Sequence, residues 1–202
     1  ALPILAGICG GLGALAAGPA WAGAQIEEEL SHAVRTALSA AVTRAAPPEP
    51  VLRQKSEQQS YRQWLQATGQ LLARYQSHPA ERQEFLQTLW YEARRAGLSL
   101  SLVLGLVQVE SAFRKHAVSS AGAMGYMQVM PFWAHTLGDG NASRLFHMQT
   151  NLRFGCVILR HYLERERGDL FLGLGRYNGS RGQAAYPQAV LAAQGLWQQA
   201  ID

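Results

Sequence analysis

The chain is short of the groups on which most site chemistry is built. Of its two cysteines, Cys9 falls in a stretch, residues 1–22, that holds no charged residue, and Cys156 is alone in the remainder. A single thiol closes no internal disulfide. Cys156 lies in an apolar helical run and reads as a core residue. No histidine arrangement in the sequence points to a thiol nucleophile, and spatial partners stay open at this point. The histidines, His32, His78, His116, His135, His147 and His161, show no metal-ligand spacing, so no metal and no cofactor is expected. Alternating apolar and polar runs that would mark strands are missing, which leaves a mainly α chain. Acidic residues are sparse, 14 against 18 basic, giving a net charge of +4 and a pI of about 9.3. A basic surface suits an anionic polymer. No basic run interleaves with aromatics, so nucleic acid is not the expected partner.

The uncharged stretch 1–22 is rich in Ala, Gly and Leu and ends in two small-x-small patterns, Ala20-Trp21-Ala22 and Ala22-Gly23-Ala24. It reads as a secretory signal peptide that lacks its basic start and initiator Met, so the sequence is expected to begin inside it. The competing reading is a membrane anchor, which the glycine content and the cleavable end disfavour. Leu5-Ala6-Gly7-Ile8-Cys9 faintly resembles a lipidation box, but Ile8 stands where a small residue belongs, so no lipid anchor is expected. Export to the periplasm follows, with a mature chain of about 180 residues forming one domain plus an N-terminal appendage.

Residues 23–50 comprise an Ala-rich segment, with Glu27-Glu28-Glu29 near the favourable end of a possible helix, and the breaker Pro47-Pro48-Glu49-Pro50. Residues 51–97 read as a helical lead-in. Tyr61, Trp64, Leu65, Leu71, Leu72 and Tyr75 form a broken apolar stripe, and a second helix opens at His78-Pro79 with Phe85, Leu86, Leu89, Trp90 and Ala93 at helical spacing. This lead-in either packs on the core or serves as a partner-binding arm.

The organising stretch runs from Leu98 to Pro131. Between Leu100 and Val109 nearly every residue is apolar, so the helix there has no wet face and belongs in a core. Glu110 follows directly. A Glu at a helix end is commonly a solvated residue; carried out of a buried helix it must be paired, protonated or used, and partial burial raises its pKa into the range of a general acid. A small, glycine-bearing loop follows, Ser119 to Gly125, able to bring backbone close to a ligand. Gln128 supplies an amide, and Pro131 opens the next helix. Beyond it, Phe132 to Leu137 is a short helix stopped at Gly138-Asp139-Gly140, Asn151 caps a longer helix, Asp169 caps another that reaches Tyr177, and Pro187 begins the last.

At these residues the chain resembles a known family. Glu110-Ser111-x-Phe113, Ala117, Ser119, Gly122-Ala123-x-Gly125-x-Met127-Gln128-x-Met130-Pro131 looks like the signature of the soluble-type (SLT) lytic transglycosylases, lysozyme-like enzymes that cleave bacterial peptidoglycan. Asn151-x-x-x-Gly155 with Tyr162-Leu163 resembles the family's next helix. Tyr177-Asn178-Gly179 resembles its Tyr-Asn-x-Gly block, although here Gly follows Asn at once. Tyr126 stands where the family often has Leu. The likeness covers residues 98 to 190 in three ordered blocks, a far more specific signal than one short motif.

The resemblance implies a helical domain of the goose-type lysozyme/SLT kind over residues 98–202 behind an N-terminal helical extension. It implies scission of the MurNAc–GlcNAc β-1,4 bond with 1,6-anhydroMurNAc ends, Glu110 acting as the single acid and base. Most glycosidases use two carboxylates, but one suffices where the substrate's N-acetyl group supplies the nucleophile. The implied substrate-binding set is Ser111, Ser119, Met127, Gln128, Tyr177 and Asn178: Ser119 touching the N-acetyl group or the acid, Tyr177 positioning the oxazolinium, Gln128 and Asn178 bonding sugar or backbone, and Met127 lining the groove. Against these stand plainer roles: core packing for Tyr177 and Met127, a backbone-tying amide for Gln128, and a helix-end hydroxyl for Ser111. Two other functions stay open: a hydrolytic lysozyme, and a peptidoglycan-binding accessory module of a secretion or pilus system that docks on an envelope protein through its N-terminal helices. A monomer is expected.

Overall fold

Turn and cap chemistry divide the chain into helices. The computed structural model describes Gln25, residues 52–137 and residues 140–201. The expected signal peptide, the linker at 47–50, the Ala-rich segment apart from Gln25, and Gly138-Asp139 lie outside the described residues. The helices are α1 (Lys55–Leu72), α2 (Pro79–Arg95), α3 (Leu100–Ser111), α4 (Pro131–Leu137), α5 (Met148–Arg165), α6 (Leu170–Asn178) and α7 (Ala185–Ile201), with a 3-10 turn at Ala142–Phe146 before α5. Among the described residues the only β pairing is two isolated bridges, Val118 with Met124 and Met124 with Val129. The class is mainly α, as the missing alternation required. No described helix is long and apolar enough to cross a membrane.

Helix α2 opens on His78-Pro79, where proline loses no intrahelical bond, and stops at Gly97 with φ +66°. Ser99 then caps α3 by accepting from the Leu102 amide. Asp169 caps α6 in the same way, Oδ1 accepting from Leu172 N at 2.9 Å. Asn151 does not cap α5. That helix starts a turn earlier, at Met148, because the 3-10 turn runs straight into it. The freed carboxamide reaches sideways into the glycine loop instead. Its Oδ1 accepts from Met127 N at 2.8 Å, and its Nδ2 donates to Met124 O and Leu145 O, each at 2.8 Å.

Helix α3 is buried almost throughout, with Leu102, Val103, Leu104, Leu106 and Val107 all within the core. Its main neighbour is α7. The two backbones approach so closely at Gly105 that a Cβ there would lie 2.6 Å from Gln194 N. A side chain at that position would have to push the helices apart. Trp197 Nε1 donates to Gln108 Oε1 at 2.8 Å, and Ser101 Oγ to Gln198 Oε1 at 2.7 Å, fixing the same pair in register. Trp64, Leu72, Phe85, Leu86 and Leu89 from α1 and α2 join the core that holds α3. The lead-in helices are therefore packed on the rest.

Where α3 ends the chain turns abruptly. Ala112 and Phe113 both take left-handed backbone, φ +48° and +61°, a region that costs a residue with a Cβ about 1 kcal/mol or more. The Phe113 ring repays this by packing among Phe85, Tyr75 and Trp197, at centroid distances of 5.7, 4.9 and 5.5 Å. Gln76, in the α1–α2 connection, donates to Phe113 O at 3.2 Å and to the Tyr126 hydroxyl at 3.3 Å. Tyr126 is accordingly buried against the lead-in.

Across the core, Arg153 of α5 meets Glu92 of α2, each side chain 2% exposed, through bonds of 2.6 to 2.9 Å. Such a pair adds little relative to apolar packing, yet stranding one partner is costly. Glu92→Ala is expected to lower unfolding free energy by about 3–5 kcal/mol, measured by denaturant titration. A loss under about 1 kcal/mol would mean that Arg153 finds water or another acceptor.

Candidate active site

A helix with no wet face carries its terminal residues into the interior with it. Glu110 is 8% exposed. Burial pushes its carboxyl up to about 8, and the hydrogen bond from Tyr186 offsets only part of that rise. Tyr186 OH, at the start of α7, donates to Glu110 Oε1 at 2.5 Å. One oxygen is thus held, and the other, Oε2, is buried without a hydrogen bond to any described residue. Burial, together with the nearby Glu110 charge, drives the Tyr186 hydroxyl well above its ordinary pKa, so it stays a donor.

The other site residues divide into frame and face. Ser111 Oγ donates to Tyr126 O at 2.7 Å, with Val107 O 3.1 Å away, locking the end of α3 to the loop. Ser119 Oγ accepts from Ala123 N at 3.0 Å and closes the turn of the glycine loop. Gln128 Nε2 donates to Gly125 O at 2.9 Å and Ala117 O at 3.1 Å, so its side chain ties down backbone. Met127 corrects the expectation of a groove-lining residue: it is fully buried, and a Cβ on Gly155 would lie 2.3 Å from its sulfur. The bare face of α5 at Gly155 admits the thioether, which draws it into the core. Tyr177 OH donates to Met127 O at 2.7 Å rather than to the acid, although the Glu110 charge raises its pKa along with burial. Asn178 Oδ1 accepts from Ser180 Oγ at 2.9 Å, and its Nδ2 is buried without a partner among the described residues. Arg181 holds the following loop by donating to Glu166 at 2.7 and 3.0 Å.

Three residues found here were not singled out from the sequence. Tyr186 lies 76 positions from the acid it touches, and nothing in Ala184-Ala185-Tyr186-Pro187 sets it apart from a core tyrosine. Trp133, in α4, and Gln25 meet through Trp133 Nε1 and Gln25 Oε1 at 2.9 Å, a contact across more than a hundred residues that no local pattern signals. The motif loop also borders open space. A cavity of about 560 Å³ is lined by Tyr75, Gln76, His78, Arg114, Lys115 and His116, on the turn just past Glu110. Another of about 690 Å³ lies at α1 and α2, lined by Tyr61, Trp64, Trp90 and Arg94, away from the acid. No group of three metal-binding side chains occurs among the described residues.

This geometry has relatives. The model of the "Transglycosylase SLT domain" family matches residues 88–198, more than half of the chain. The chain is 36% identical over 101 residues to a transglycosylase of Enterobacteria phage PRD1, covering 50% of this chain and 37% of the phage protein. It is 46% identical over 55 residues to the membrane-bound lytic murein transglycosylase C of Mannheimia succiniciproducens, covering 27% of this chain and 15% of that protein. It thus spans well under half the length of these relatives. An inactive mutant of the lytic transglycosylase Slt of Pseudomonas aeruginosa superposes with a TM-score of 0.53 at 21% identity, covering 87% of this chain and 38% of that one. That likeness establishes the lysozyme-like helical fold. With the signature surrounding Glu110 and the family model extending from α2 to α7, the chain belongs to the transglycosylase SLT domain family.

Proposed function

We propose that this chain is a peptidoglycan lytic transglycosylase in which Glu110 alone serves as acid and then base. The observation that carries this reading is the state of the buried acids. Among the described residues the buried carboxylates are Glu92 and Glu110. Glu92 is consumed by Arg153. Glu110 keeps a proton near neutrality and has one oxygen unclaimed. A hydrolytic pair would need a second carboxylate flanking the same bond.

Protonated Glu110 gives its proton to the glycosidic oxygen as the bond from the anomeric carbon to that oxygen breaks. The acetamido oxygen of the same sugar bonds to the anomeric carbon, forming an oxazolinium. The Glu110 carboxylate then takes the C6 hydroxyl proton, and O6 attacks the anomeric carbon, expelling the acetamido oxygen and closing the 1,6-anhydro ring. Glu110 regains its proton and no water is consumed. Tyr186 steadies the carboxylate through Oε1 in both halves. Peptidoglycan, with its lactyl and peptide carboxylates, also suits the +4 chain. The leader-like residues 1–22 support a periplasmic site of action.

Glu110→Gln is expected to lower turnover of purified sacculi by about 10²- to 10⁴-fold while leaving sacculus binding intact. Mass spectrometry of wild-type products should show anhydromuramoyl ends, one water lighter than reducing ends. Reducing ends would make the chain a lysozyme, and full activity in the variant would remove Glu110 from the mechanism.

The raised pKa also sets a direction with pH. Folded Glu110 binds its proton up to about pH 8, whereas the unfolded carboxyl releases it near 4.5. Between these values the native state holds more protons, so rising pH lowers stability. The gain in Tm of Glu110→Gln over wild type should therefore be small near about pH 5 and grow toward about pH 9. A constant difference would show that the carboxyl titrates alike in both states.

A further inference from the structure

The loop that follows Glu110 carries an occupant from far along the chain. Gln25 is 5% exposed and meets three polar groups of the motif loop and the helix after it. Its Oε1 accepts from Trp133 Nε1 at 2.9 Å and lies 3.4 Å from Met130 N. Its Nε2 donates to Gln128 O at 3.4 Å, and its side chain lies beside the Tyr177 hydroxyl, which also senses the Glu110 charge. Two N–H donors facing one carbonyl acceptor form the complement of a single amide. A carboxylate in that place would set an acceptor against Gln128 O, whereas an amide carries its acceptor and its donor on separate atoms that reach both sides of the pocket. The N-acetyl group of a sugar carries the same C=O and N–H as the Gln25 side chain. It is also the group that the chemistry requires next to the acid.

We propose that Gln25 is a built-in occupant of the amide-binding pocket formed by Gln128 O, Met130 N and Trp133 Nε1, and that an N-acetylated sugar must displace it to reach Glu110. This rests on the glycan-cleaving reading above. The hold is weak by design of its distances: two contacts sit at 3.4 Å, the outer edge of a hydrogen bond. Its advantage is tethering, which gives an amide on the same chain an effective concentration in the millimolar range. Gln25 is therefore a brake that substrate overcomes. It also keeps the buried Trp133 N–H satisfied when no sugar is bound, so its removal has two effects of opposite sign. The empty pocket leaves a buried donor unpaired and the fold slightly weaker, while ligand binds better.

The test uses the full chain as wild type, Gln25→Ala and Gln25→Glu, with tri-N-acetylchitotriose as probe and the indole N–H signal of Trp133 in NMR as readout. Both variants should bind the probe about three- to tenfold more tightly than wild type, with Tm unchanged or lower. In wild type the Gln25 side-chain amide signals should move toward those of a free amide as probe is added. Equal or weaker binding by both variants would make Gln25 a structural part of the pocket and overturn the proposal. Absence of probe binding in every form would do the same, by removing the acetamide assignment. Sacculus cleavage that still depends on Glu110 would in those cases leave the catalytic reading standing. Tighter binding by the variants alongside a fully active Glu110→Gln would uphold the pocket and remove the acid.

Discussion

A carboxyl group taken out of water must be paired with a cation, be protonated, or bind something. Among the described residues, one buried acid takes the first course and one takes the second. Glu92 is given Arg153. Glu110 is given a phenol, which can donate a hydrogen bond but cannot neutralise a charge. Burial among apolar side chains of α3 is what keeps the proton on Glu110, and α3 is buried because α7 and the lead-in helices close over it. The fold and the acid are therefore one problem. Any change that lets water reach the end of α3 lowers the pKa and loosens the core together.

The site is built almost wholly from backbone held in place by side chains. Ser111, Ser119, Gln128, Asn151 and Tyr177 each spend their polar atoms on main-chain groups. The motif reads as a list of polar residues, as though each met the substrate. In the structure most of them fix where carbonyls and amides point. Preorganised backbone groups cost nothing to reorient during reaction.

What the sequence made legible follows from how local each signal is. The buried character of α3 shows in ten consecutive residues, and the helix opening at Pro79 and the cap at Asp169 depend on neighbours only. The acid stood out because it breaks an apolar run. Asn151 was legible as a polar residue near a helix start but not as a cross-link, since its partners lie 6 to 27 positions away. Met127 was misplaced for a related reason: the space it fills is made by the missing side chain of Gly155 on another helix. Tyr186, Trp133 and Gln25 join the site only through tertiary contacts, and their own neighbourhoods carry no mark of it.

The cross-link made by Asn151 bears on how this molecule moves. Glycine-rich loops are ordinarily places of slack. Here one carboxamide, planted on the first turn of α5, engages three main-chain groups between Met124 and Leu145, and a Cβ on Gly125 would collide with it at 2.3 Å. Turning α5 about its axis by a single residue would break all three attachments at once. Loop and helix are consequently tied to one another, and Gly125 marks a seam where the two meet rather than a hinge.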